Sequence, residues 1–411
     1  MKLATSLVAA TAMTAASTVA AQAETVEFWT LTFSSDKVNN AYAEIEADFE
    51  AANPGIDLVI TRRGVDEHKT ALRVAAGSDK GPDIYFNWAG LGLGGEYVLA
   101  GMSQDLSPYY SEFNWDKNLV SAALGFTTAF ADGKHGVPNT FKGEVIYYNK
   151  QMLADAGFEQ EPQSYEELLA FADALAEDGI AAITFGGSVN WHVMRLMDVL
   201  LETKCGAEKH DQLVGLELNW STEPCALESL TEMEMWADKY FLKPFMGIDH
   251  RQSMSLFVAG KAAMMLEGNW LVNSLAEADD LSKYGIFPFP TGTGRLYGFA
   301  EYHYISSKSA NPDAAAKFLG YLLSDDVQQK YLGTFSSNSV NQNVEYKDLR
   351  PLDAEWNDIF GAHGEMFVNG DQGFPANIVP EYFRIINEVV TDGLQPQEAA
   401  DAFQTFIDNA G

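Results

Sequence analysis

Residues 257–270 read Phe-Val-Ala-Gly-Lys-Ala-Ala-Met-Met-Leu-Glu-Gly-Asn-Trp. They describe a helix that ends at Gly260, an apolar strand over 262–266, and a turn at Gly268-Asn269 that presents one large indole, Trp270. A flat indole at a loop tip is a poor neighbour for water. The apolar C–H face of a sugar ring is one partner that covers it, with hydroxyls left for polar groups nearby. Packing against the protein's own loops is the other role open to it. Bond-making chemistry would leave other marks. The chain has 58 Asp and Glu, so acidity alone marks no acid/base pair, and none sits in a motif that would flank a glycosidic bond. There is no Gly-x-Ser-x-Gly elbow and no acidic loop of the EF-hand type, and the seven histidines are scattered without paired spacing. Gly292-Thr293-Gly294 is too short for a dinucleotide loop and does not open a helix. The residues point to a binding site without enzymatic turnover, metal or cofactor. A secreted glycoside hydrolase is the weaker alternative.

Strands and helices that could carry such a site alternate along the chain. Residues 25–31 place Val26 and Phe28 on one face of a first strand. Ser34-Ser35-Asp36 offers cap chemistry to a helix whose stripe is Val38, Tyr42, Ile45 and Phe49, and Asn53-Pro54-Gly55 stops it. A second strand at 56–60, a helix around 69–76 and a third strand at 84–86 complete a βαβ order. That order implies a mainly parallel sheet, with ligand sites beyond the carboxyl ends of its strands. Two such ends are the loops at 32–36 and 87–90, expected to open into one crevice. Further on, 145–148 is a strand and Ser164-Tyr165-Glu166-Glu167 is a capping box for a helix with Leu168, Leu169, Ala172 and Leu175. Residues 181–185 form a strand, and Asn311-Pro312 starts a helix with Phe318, Leu319, Leu322 and Leu323 as its stripe. No repeat or flexible linker separates two parts.

Met1-Lys2, an Ala/Thr/Val-rich apolar run and Ala21-Gln22-Ala23 follow the order of a secretory leader, cleaved after Ala23. The reading is an exported protein, periplasmic in a Gram-negative cell. The two cysteines, Cys205 and Cys225, would meet an oxidising compartment, and Gly206 and Pro224 beside them supply turns, so they are read as a stabilising disulfide. Net charge is −32, which argues against nucleic acid or an anionic membrane surface as partner. With 47% hydrophobic residues over 411 positions, two domains are expected.

Together the leader, the Trp29 strand, Asn53-Pro54-Gly55-Ile56, Gly81-Pro82-Asp83, Val137-Pro138 and Tyr148-Asn149-Lys150 form an ordered series. It continues with 164–168, the 257–270 block, Phe287-Pro288-Phe289-Pro290 and Asn311-Pro312. In order and spacing the series resembles family 1 of the extracellular solute-binding proteins, the carbohydrate-type binding proteins of ABC importers related to maltose-binding protein. The resemblance covers nearly the whole mature chain. It implies an α/β fold of two lobes (type II periplasmic binding protein fold), each a mainly parallel sheet flanked by helices, with three hinge crossings. Carried onto this chain, the crossings fall near 141–144, 287–290 and 325–330. Lobe one is then 24–141 with 289–326, and lobe two is 142–288 with 327–411. A monomer would close on a carbohydrate-like solute and be recognised by the membrane permease subunits of the importer.

The same resemblance nominates site residues. Trp270 matches the stacking aromatic, with Asn269 beside it. Asn87 and Trp88 follow Gly-Pro-Asp where ligand contacts are placed, while Asp83 reads as a loop brace. Ser34, Ser35 and Asp36 sit on the first strand-to-helix loop, as hydroxyl binders or as helix caps. Lys142 lies in the first crossing, as a donor to an acidic or hydroxyl-rich ligand or as a solvated lysine. Trp191 reads as a second platform, and His192 as a contact or a satisfied histidine at a helix start. His303, next to Tyr302, and Phe374 complete the set, each with core or loop packing as its other role. Neutral sugar, sugar acid, phosphate, sulfonate glycoside and polyol all remain open as ligands.

Overall fold

The computed structural model describes residues 23–33, 35–78, 80–336 and 338–410. The expected leader up to Gln22, and Ser34, lie outside the described residues. Among the described residues, nine strands form: β1 (Glu24–Leu31), β2 (Ile56–Arg63), β3 (Ile84–Trp88), β4 (Val137–Asn149), β5 (Ala181–Ile183), β6 (Ala262–Gly268), β7 (Tyr284–Phe287), β8 (Leu296–Ile305) and β9 (Met366–Phe367). Their order is β2-β1-β3-β8-β4-β6-β5, with β7 on β4 and β9 on β8. The outer pairs are parallel: Val26 faces Leu58, Phe28 faces Ile84, and Ala181 faces Ala262. At the centre, β8 runs antiparallel to β3 and β4, and β6 and β7 run antiparallel to β4.

The 13-residue strand β4 joins the two halves. Its first part, up to Gly143, pairs with β8, and from Glu144 on it pairs with β6. Helices cover both faces of each half, so β3, β6 and β8 are buried along their whole length. In the first half, Val26, Phe28, Tyr42, Ile45, Phe49, Phe318 and Leu319 share one core. The expected stripe of helix Asp36–Ala52 is the buried one. In the second half, Leu168, Phe171, Leu200, Met233, Trp236 and Tyr382 pack on one face, and Val145, Tyr147, Met265 and Trp356 on the other.

Two changeovers lie later in the chain than expected. Phe289 packs with Tyr165 in the second core at 5.9 Å between ring centroids, so the chain re-enters the first half inside β8, around Gly298 and Phe299. Val327, Tyr331 and Val340 belong to the first core, and Tyr331 donates to Glu44 at 3.1 Å. Spaced i,i+4, Val327 and Tyr331 keep helix Asp325–Lys330 on the first half, and the chain returns only between Asn341 and Leu352, which packs in the second.

Cys205 and Cys225 are bonded, with Cα atoms 5.1 Å apart. The bond ties helix Asn190–Val214 to helix Pro224–Lys239 just before Gly206, whose φ of 71° breaks the first helix. Among the described residues, no helix is long and apolar enough to cross a membrane.

Candidate functional site

A cavity of about 420 Å³ lies between the halves. Three indoles wall it, each placed by the end of an element. Trp88 closes β3, its ring edge-on to Phe86 at 4.9 Å with the Lys69 ammonium 4.9 Å from its centroid. Trp270 follows β6 and tilts against Phe299 at 5.8 Å. Its ring folds back over Gly268, where a Cβ would meet it at 2.0 Å, so that position requires glycine. Trp191 stands in the first turn of helix Asn190–Val214, with the His250 ring 5.0 Å away.

Behind two of these indoles lies a buried ionic cluster. The Arg195 guanidinium is 4.7 Å from the Trp191 ring and 5.1 Å from the Trp270 ring. Its Nε is 2.7 Å from Glu144 Oε1 and its Nη1 is 2.8 Å from Glu267 Oε2. Burial pushes Glu144 up to about 7 against the pull of Arg195. Burial opposes ionisation of Glu267 as well, yet Arg195 and His192 together hold it at about 2. Lys142, only 2% exposed, donates to the Phe335 carbonyl at 2.8 Å and lies 3.7 Å from Glu301. Burial lowers its pKa, with Glu301 opposing.

Besides Arg195 Nε, which is ion-paired with Glu144, four polar atoms of the cavity's lining residues are buried without a hydrogen-bond partner among the described residues: Trp191 Nε1, His250 Nδ1, Asn273 Oδ1 and Asn369 Oδ1. The amide nitrogens of the two asparagines are already committed, Asn273 to the Thr334 carbonyl at 2.7 Å and Asn369 to Glu144 at 2.8 Å. Desolvated and unpaired, such atoms are costly unless a guest or water satisfies them. The halves also touch around the cavity. Lys69 pairs with Asp371 at 3.3 Å, and Ser35 donates to Glu277 at 2.7 Å.

Of the residues nominated from sequence, Ser35, Trp88, Lys142, Trp191 and Trp270 line the cavity. Ser35 also caps its helix, accepting from the Val38 amide. The others stand elsewhere. Asn87 is buried with its side-chain oxygen accepting from the Trp88 amide, and Asp36 is exposed on the first turn of its helix. Asn269 is a brace, donating to Ser336 at 2.8 Å and to the Phe141 carbonyl. His192 is fully buried, accepting from the Gly186 amide and facing Glu267, and burial lowers its pKa to about 4. His303 shares a face of β8 with Phe299 and Glu301 but stands farther along the strand, off the cavity lining, where it is fully buried edge-on to Phe28 at 4.8 Å. Phe374 fills an aromatic core with Trp220, Tyr382 and Phe403. Asp83 braces its loop, accepting from the Glu27 amide and the Ser309 hydroxyl.

Sequence reading missed Lys69, Arg195, His250, Asn273, Asn369 and Asp371. Arg195 had a signal, since Trp191 and Arg195 are four apart and share a helix face. Asn369 and Asp371 had none, because only the fold brings that loop to the cavity.

Comparison with known proteins agrees with this architecture. A profile described as bacterial extracellular solute-binding protein matches residues 34–329. An uncharacterized ABC transporter extracellular-binding protein of Pyrococcus horikoshii is 24% identical over 306 residues, 71% of this chain and 66% of its own length. A multiple sugar-binding protein of Streptococcus mutans is 22% identical over 331 residues, 75% of this chain and 74% of that protein. The solved structure of a chitin oligosaccharide binding protein superimposes with a TM-score of 0.86 at 21% identity, covering 95% of this chain and 100% of that one. The profile match spans well over half of the sequence, and the chain belongs to the bacterial extracellular solute-binding proteins.

Proposed function

We propose that this protein captures a neutral sugar, from one ring to a short oligosaccharide, in the cavity between its halves and releases it unchanged to the permease of an ABC importer. The observation that carries the reading is that three indoles wall one cavity together with polar side chains such as Ser274, Asn273 and Gln372. Indoles cover the C–H faces of sugar rings, and the polar side chains of the same lining exchange hydrogen bonds with the hydroxyls. Sugar-binding names among the relatives support the same class.

Charge favours the neutral ligand over a sugar acid, phosphate or sulfonate. Lys69, Lys142, Arg195 and Arg251 on the lining face five carboxylates, Asp66, Glu67, Asp249, Glu301 and Asp371. The buried cations Lys142 and Arg195 already have carboxylate neighbours, which neutralise the charge that an anionic ligand would need. The halves would swing about crossings near 141–144 in β4, near 298–299 in β8 and between 341 and 352, with the mature protein working in the periplasm after cleavage behind Ala23.

The test is a thermal-shift screen of neutral sugars, their uronic acids, sugar phosphates and polyols, followed by calorimetry and product analysis on the hits. A neutral sugar should stabilise the protein with micromolar to sub-millimolar affinity and be recovered intact. Preferential stabilisation by the acids, or appearance of hydrolysis products, would overturn the proposal.

A further inference from the structure

We infer that Arg195 is a positioning residue for the sugar platforms: its guanidinium, clamped by Glu144 and Glu267, fixes the indoles of Trp191 and Trp270 as a pair. The consequence for binding rests on the sugar reading above; the positioning itself does not. Three elements meet at this one side chain. Trp191 and Arg195 rise from the same face of helix Asn190–Val214, Trp270 follows the end of β6, and Glu144 marks the place where β4 passes from one half to the other. The guanidinium lies 4.7 Å and 5.1 Å from the two indole centroids, so neither ring can shift inward without displacing it.

The clamp leaves that cation little freedom. Glu144 takes Nε at 2.7 Å and Glu267 takes Nη1 at 2.8 Å, with side-chain exposures of 4% for Arg195, 0% for Glu144 and 2% for Glu267. Both carboxylates are themselves held. Asn369 donates to Glu144 at 2.8 Å, and Glu267 accepts from the Gly268 amide at 3.1 Å while facing His192 at 3.2 Å. Burying three charges is a poor way to gain stability, since a well-packed apolar set fills the same space at no electrostatic cost. What the ionic set supplies is direction. A planar guanidinium meets two carboxylates at fixed angles and covers aromatic faces at the same time, which an ammonium cannot do. Through its bond to Glu144, Asn369 ties a further residue of the cavity lining to the same support.

The test compares wild type with Arg195→Lys, which keeps the charge between the carboxylates and removes the plane over the rings. Near-UV circular dichroism of the unliganded protein should change in the tryptophan bands. That change should vanish when the substitution is made in a Trp191→Phe/Trp270→Phe background. Chitotriose, used as the probe, should bind Arg195→Lys at least fivefold more weakly, with no such loss in the double-Phe background. Unaltered tryptophan bands, or a change that persists without the two indoles, would overturn the inference. If Arg195→Lys does not fold, Glu267→Gln, which loosens one side of the clamp, is measured in the same way with the same expected dependence on the two indoles. A wild type that shows the spectroscopic coupling but binds no sugar of the panel would sink the sugar reading and leave the positioning role standing.

Discussion

Gly268→Ala is a small change with a large expected effect on binding. A methyl at this position would lie 2.0, 2.2 and 2.4 Å from three atoms of the Trp270 ring, where ordinary contact begins at 3.4 Å. The ring must therefore move by more than an ångström, either against Phe299 or into the cavity. Each heavy-atom contact in a stack is worth about 0.1–0.2 kcal/mol, and a gap of 0.5–1 Å forfeits a quarter to a half of it. Over the roughly one to two dozen contacts that an indole makes with a sugar ring, the loss comes to about 0.3–2.4 kcal/mol, with a middle value of about 1 kcal/mol or roughly fivefold in Kd. Calorimetry with the best sugar of the screen measures this for Gly268→Ala, Trp270→Ala and the double variant, with circular dichroism as a folding control. Removing the indole also removes the clash, so the double variant should bind no more weakly than Trp270→Ala alone. Wild-type affinity in Gly268→Ala, or penalties that add in the double variant, would refute the reasoning that the indole's seat over Gly268 sets the platform.

Two further outcomes concern stability. Opening the Cys205–Cys225 bond frees a loop with a sequence separation of 20, and the chain-entropy relation puts its contribution at about 3 kcal/mol. Cys205→Ser, or reduction by dithiothreitol, should lower the urea midpoint accordingly, and an unmoved midpoint would mean that the kinked helix needs no staple. His303 is fully buried among aromatic rings, and burial, with His68 adding to it, lowers its pKa to about 3 from 6.5. Its folded form stays neutral, so its share of stability is complete above pH 6.5 and is lost as pH falls toward 3. His303→Phe should reduce the drop in unfolding free energy between pH 7 and pH 5 relative to wild type, as followed by urea titration. Glu144 and Asp198, raised by burial to about 7 and about 6, act in the opposite sense, losing stability as pH rises through those values. The informative quantity is thus the difference between variant and wild type, and an identical pH slope in both would show that His303 does not titrate on unfolding.

Local patterns carried much of the molecule into view. The stripe of Val38, Tyr42, Ile45 and Phe49, the cap at Ser164 and the turn after 262–266 follow from side-chain periodicity and backbone chemistry within a few residues, and they recur in the structure. Strand ends followed by tryptophan marked Trp88 and Trp270, because a large aromatic at a loop tip is conspicuous in one dimension. Where side chains meet across the fold, the sequence was silent. Nothing near Asp371 announces Lys69, some three hundred residues away, and nothing near Arg195 announces Glu144 and Glu267. His303 and Phe374 carry the residue types of a binding site, yet they lie in cores, since position along a strand and aromatic packing decide what a side chain meets. The residues alone determined a two-part α/β chain with indoles at its strand ends. Tertiary structure decided which of those indoles share a cavity, and which buried charges hold them there, because both depend on contacts between segments far apart in the chain.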